Sequence, residues 1–234
     1  MNTVLKSPAI RWAAVALAIV AVALGAFLAG RSTGQPAQAQ QSQASTAPGP
    51  LGDQARRDSA DVFALGDPDA PISMVVYSDY RCPFCARYSN MSEPVLIERY
   101  VESGQLRMEW RDFPVFGDAS MLAARAGRAA AEQDLFWEFN GAVYEAAPQN
   151  GHHDLTPDKL LAFAEQVGMP DLEQFEAQMM SEEFDEEISS DMMEARMLGI
   201  SGTPSFVIGG YGLVGAQPTE VFVEVIEQAL AEVR

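Results

Sequence analysis

Three hydrophobicity regimes follow one another along the chain. An uncharged apolar run from Ala13 to Gly30 comes first, then a polar stretch rich in Gln, Ala, Ser, Gly and Pro from Ser32 to about Ala60. Only then does the pattern of a packed domain begin. Gly66 to Pro71 (GDPDAP) is turn chemistry, and Ile72 to Tyr77 (ISMVVY) is a short β-branched run of the kind that forms a buried strand. After it, Tyr88, Met91, Val95 and Tyr100 recur at helical spacing up to Gly104, with Pro94 expected to kink that helix. Leu106 to Phe113 alternates and predicts a second strand, closed by Pro114.

A helical block is expected from about Asp118 to Leu198. Its clearest start is Thr156 as N-cap with Pro157 at the first helical position, running to a stop at Gly168. Ser205–Ile208 and Tyr211–Val214 flank Gly209-Gly210 and predict a hairpin. Val221, Phe222, Val225, Ile226, Ala229 and Leu230 form the apolar stripe of a closing helix. Strand, helix, strand, helical block, hairpin and helix make an α/β domain over residues 61–234 with a helical insertion at about 118–198.

The first two regimes concern where that domain works. Lys6 and Arg11 precede the apolar run and Arg31 follows it. Eighteen residues at about 1.5 Å each span roughly 27 Å, enough for a hydrocarbon core. Residues 1–31 therefore read as a membrane anchor, or as a signal cleaved at Ala37-Gln38-Ala39, with everything after Arg31 outside the cytoplasm. Residues 32–60 hold too few large apolar groups to offset their ordering entropy and read as a flexible tether. The net charge of −18 excludes nucleic acid as the main partner. Eleven acids with no Lys or Arg lie between Glu165 and Glu194, expected as solvated helix faces. Met169, Met179, Met180, Met192, Met193 and Met197 among them are expected to fill core, or else to offer a pliable groove.

Chemistry concentrates at SDYRCPFCARY, Ser78 to Tyr88, which holds both cysteines of the chain. A zinc site needs about four ligands, and the remaining histidines, His152 and His153, are adjacent and read as loop residues, so no metal is expected. A staple closing so small a loop would add little stability. A redox pair has physical support. Cys82 falls where a strand passes into a helix, so unpaired N–H groups and the macrodipole would favour its thiolate, while Pro83 suits the first turn. Cys85, one turn on, is placed to attack a mixed disulfide at Cys82. Asp79 could accept the Cys85 proton, or serve as a turn residue.

GDPDAPISMVVYSDYRCPFC, WRDFP and GISGTPSFVIGG together resemble the DsbA-like thiol–disulfide oxidoreductases of the thioredoxin fold, over roughly Phe63 to Val233. The resemblance implies Cys82 as nucleophile, Cys85 as resolving thiol, and a cis Thr203–Pro204 peptide beside the sulfurs. Thr203, Pro204, Pro83 and Phe84 would contact an extended substrate chain. No cofactor is implied. Phe84 stands where the strongest oxidants of the family have histidine, which points to a milder potential. Thr203 is shared by oxidases and isomerases. The expected activity is disulfide donation to reduced exported proteins, with reoxidation by a DsbB- or VKOR-type membrane partner. A reductase or isomerase is the alternative, and a chaperone-like binding module a third.

Overall fold

The computed structural model describes residues 51–233. The expected anchor and most of the expected tether lie outside the described residues. Among the described residues no helix is long and apolar enough to cross a membrane.

Five strands form one sheet in the order β1-β3-β2-β4-β5. β2 (Ile72–Ser78) runs parallel to β3 (Leu106–Asp112) on one side and antiparallel to β4 (Ser205–Ile208) on the other. Every residue of β2 is buried, which explains why its only strongly polar members are two small serines: a central strand covered on both faces has no solvent side to present. β5 (Tyr211–Val214) completes the predicted hairpin through Gly209 and Gly210, both at positive φ. β1 (Ala64–Leu65) is a two-residue antiparallel addition to β3 that the pattern did not reveal.

One face of the sheet is covered by α1 (Pro83–Met91), its continuation α2 (Glu93–Leu96) and the closing helix α8 (Thr219–Glu232). The insertion supplies α3 (Asp118–Ala131), α4 (Phe136–Glu145), α5 (Pro157–Gln166), α6 (Leu172–Met180) and α7 (Asp185–Met197). Thr156 caps α5 as expected, its side chain accepting from the Lys159 N–H.

Three expectations need correction. In the first helix Tyr88 and Tyr100 face the core, but Met91 and Val95 are 65% and 43% exposed. The helix breaks at Ser92 ahead of Pro94 and widens into a π turn at Ile97–Val101, so Leu96 rather than Val95 turns inward. The methionines divide: Met169 and Met179 are core, whereas Met180, Met193 and Met197 are exposed. The acids also divide. Asp191 is buried and receives Arg56 and Arg128, Asp185 pairs with Arg125, and Glu194 receives Arg56 and Tyr77.

The C-terminal part of the stretch read as tether is bound to the sheet. Leu51 and Ala55 pack against the cluster of Val75, Tyr77, Phe113 and Val207. Ser73 Oγ donates to Asp53 Oδ1 at 2.5 Å, and the backbone N–H groups of Arg56 and Arg57 both donate to the Glu109 carboxylate. Its polar composition hides this because much of the attachment is polar, to Ser73 on β2 and to the buried Glu109 on β3.

Candidate active site

The site forms where β2 ends. Ser78 closes the strand, Asp79 turns the chain, and Cys82 begins α1. The turn is held by the Cys82 N–H donating to the Asp79 carbonyl at 3.0 Å. Cys82 occupies the N-cap with extended φ and ψ of −75° and 119°, and Pro83 takes the first helical position. Its sulfur therefore faces the free N–H groups of the first turn, the arrangement that favours a thiolate.

Asp79 fixes this turn to the loop after β3. Its carboxylate accepts from the Arg81 N–H (2.8 Å), the Val115 and Phe116 N–H groups (2.7 and 3.3 Å) and the Ser120 hydroxyl (2.9 Å). Burial nevertheless raises its pKa, because all four donors are neutral. Arg81 ties down the other side, donating to the carbonyls of His153 (2.9 Å) and Phe116 (2.6 Å).

The two thiols, both free, are in opposite states. Cys82 is lowered to about 6: a hydrogen bond from Cys85 outweighs burial, helped by Thr203 and the backbone N–H groups of Cys85 and Phe84. Cys85 is wholly buried, and that burial, reinforced by Cys82, pushes its thiol well up. One cysteine is prepared to ionise near neutrality and its neighbour is kept protonated.

Residues 121 positions away complete the site. The Cys82 thiol lies 3.4 Å from the Thr203 carbonyl, and the Thr203–Pro204 peptide is cis, the geometry the resemblance implied. The Thr203 hydroxyl is buried without a full hydrogen bond and lies close enough to the Cys82 sulfur to steady its thiolate. Cys82, Pro83, Phe84 and Thr203 line one cleft of about 500 Å3, with Val115, Phe116 and His152 forming its far wall. Phe84 is 51% exposed, with the Arg87 guanidinium 5.4 Å over its ring.

The structure thus brings together Cys82, Cys85, Pro83, Phe84, Thr203 and Pro204, and puts Asp79 beneath them as the hub of the turn. Sequence reasoning missed Phe116 and His152. Their ring centroids lie 4.2 Å apart with 42° between planes, and His152 Nδ1 is 3.3 Å from the Arg81 carbonyl, so a residue read as plain loop forms part of the cleft. No spacing in the chain announces this, because the loop is brought there by Arg81. Among the described residues no cluster of three or more His, Cys, Asp or Glu side chains is arranged to hold a metal.

Residues 58–228 match the model of a protein family described as thioredoxin. The chain is 33% identical over 150 residues to the probable disulfide bond formation protein D of Bacillus cereus, which covers 63% of this chain and 69% of that protein. Two solved structures share the fold. Oxidised BdbD from Bacillus subtilis superposes with a TM-score of 0.68 at 23% identity, covering 72% of this chain and 92% of that one. A thioredoxin-like oxidoreductase from Silicibacter pomeroyi gives 0.62 at 28% identity, covering 72% and 91%.

Proposed function

Because the chain belongs to the DsbA-like thiol–disulfide oxidoreductases of the thioredoxin family, we propose that it donates the Cys82–Cys85 disulfide to reduced proteins outside the cytoplasm. The observation that carries this reading is the split between the thiols, Cys82 lowered to about 6 and Cys85 raised. A substrate thiolate attacks the Cys82 sulfur, which faces the cleft. The mixed disulfide sits beside the Thr203 carbonyl and is released by a second substrate thiolate, leaving both cysteines reduced. Stabilising the Cys82 thiolate stabilises this reduced product, and so makes the disulfide a better oxidant.

The magnitude is moderate. At pH 7 only the interval between neutrality and a pKa of about 6 counts. That interval is about one unit, or roughly 1.4 kcal/mol, which shifts a two-electron couple by about 30 mV toward oxidising. The Phe84 side chain adds no charge or hydrogen bond to increase it. Lys6 and Arg11 ahead of the apolar run Ala13–Gly30 support a domain held outside the cytoplasm. There a membrane-bound, quinone-linked protein of the DsbB or VKOR kind would restore the disulfide.

Equilibration of the full chain with glutathione tests this. The expected potential lies well above that of a dedicated reductant, and a value near −270 mV or lower would overturn donation. Alkylation of Cys82 across pH should show a midpoint near 6. Cys82→Ser should abolish oxidation of a reduced protein substrate while leaving the fold intact.

A further inference from the structure

Cys85 poses a problem that Cys82 does not. When a substrate thiolate attacks the disulfide at Cys82, the Cys82–Cys85 bond breaks and its electron pair departs on the Cys85 sulfur. A thiolate then stands where burial is complete and charge is opposed. The Asp79 carboxylate is already taken up by its four donors and offers this sulfur nothing. What reaches the sulfur is the Ser78 hydroxyl, together with the backbone N–H of Asp79. Behind Ser78 stands a second hydroxyl: its Oγ is 2.9 Å from Tyr144 Oη, with both groups buried. Tyr144 is held firmly. Its ring stacks on Tyr80 at 5.5 Å with 20° between planes, and its carbonyl accepts from Asn90 of α1 at 2.8 Å. The insertion helix α4 thus extends a hydroxyl beneath the motif.

We infer that Tyr144 and Ser78 form a chain of two donors that steadies the departing Cys85 thiolate. Tyr144 O–H donates to Ser78 Oγ, leaving the Ser78 hydrogen to point at the sulfur. Ser78, whose hydroxyl lowers the Cys85 thiol against its burial, is the group that would meet the reacting sulfur, and Tyr144 is a positioning residue that acts through it. Substrate thiolate and protein disulfide become mixed disulfide and Cys85 thiolate, which a proton from solvent then converts to the thiol. Neither hydroxyl gives up its own proton. The inference rests on the oxidoreductase reading above.

The test measures how fast the oxidised full chain is reduced by a small thiol and how fast the reduced chain is reoxidised. Ser78→Ala should slow both directions about tenfold, the effect of one hydrogen bond to a charge, and Tyr144→Phe about threefold. The equilibrium potential and the pH midpoint of Cys82 alkylation should stay at wild-type values, since only the transient thiolate is affected. Ser78→Thr, which keeps the hydroxyl, should restore most of the rate. A merely structural role would disturb Cys82 alkylation as well, and that result would overturn the inference. So would wild-type rates in both variants. Should Ser78→Ala fail to fold, Tyr144→Phe decides alone. If the wild-type disulfide itself exchanges no faster than a free small-molecule disulfide, the oxidoreductase reading fails instead.

Discussion

Two carboxylates in this chain are buried and each accepts four hydrogen bonds, yet they titrate in opposite directions. Glu109, in the middle of β3, receives Arg107 Nε (2.6 Å), Arg111 Nη2 (2.8 Å) and the N–H groups of Arg56 and Arg57 (2.8 and 2.9 Å). Burial alone would raise it, but these partners bring its pKa down to about 2. Asp79, at the end of β2, has four donors as well, and burial raises it. The difference is charge. Two of the Glu109 donors are guanidinium groups and none of the Asp79 donors is ionised, so the number of hydrogen bonds alone does not decide the direction in which a buried acid shifts. One region uses paired charge to bind the strap at residues 53–57 to the sheet. The other, next to the sulfurs, holds its carboxylate with neutral donors only.

Glu109→Gln should produce the largest effect on stability. It leaves Arg107 and Arg111, 2% and 0% exposed, without their shared anion and releases the backbone of Arg56 and Arg57. A loss of about 3–5 kcal/mol is expected in urea unfolding at pH 7. The carboxyl is depressed in the folded state, so its contribution is present above the ordinary value near 4.3 and vanishes as pH falls through about 2. The gap between variant and wild type should therefore close in acid. A loss below about 1 kcal/mol would mean that the network is ornamental to folding.

Asp79→Asn is the matching change at the other carboxylate, and a smaller one. Asparagine keeps one acceptor oxygen, but its NH2 must face N–H or O–H donors that the carboxylate now receives. A loss of about 1–2 kcal/mol follows, without a stranded charge. Val115 and Phe116 should loosen with it, since both are held by this side chain. An Asp79→Asn chain less stable than Glu109→Gln would break the comparison.

Those same two regions differ in how far the sequence revealed them. The strand, motif and hairpin were legible because each is set by local chemistry: a β-branched run, a proline at a helix start, two glycines at a turn; the cis Thr203–Pro204 peptide came only with the family resemblance. Cys82 and Cys85 could be assigned from their place at a strand–helix junction. The alternation of β3 was visible too, but nothing in it showed that Arg107, Glu109 and Arg111 are buried. All three are buried, because the strap and α7 bring Arg56 and Glu194 onto that face, 53 residues from Glu109 and 83 from Arg111. No local pattern encodes a partner at that distance. Tyr144 and His152 were hidden for the same reason: each reaches the site by tertiary packing of the insertion.

A third carboxyl extends the series and gives the smallest effect. Glu93 has a single close donor, the Ser89 hydroxyl at 2.6 Å, and no cation. Burial pushes it up to about 7, and Ser89 offsets only part of the shift. In the unfolded chain the group ionises near 4.3, so between that value and about 7 the folded protein holds a proton that the unfolded one has released. Stability must then fall as pH rises across this window and level off above it. Glu93→Gln removes the fall, because the amide has no proton to lose. Thermal melting of the variant should match wild type near pH 4 and exceed it by a few degrees at pH 8. A variant that is less stable at pH 8 would show that the ionised carboxylate is wanted there, and hence that a neutral donor alone can hold a half-buried charge. Across Glu109, Asp79 and Glu93 the direction of the shift follows the cations and not the donor count, a contrast open to refutation at three points; Asp112 bounds it, since burial and the neighbouring Asp191 raise that carboxyl although Arg128 lies 2.8 Å away.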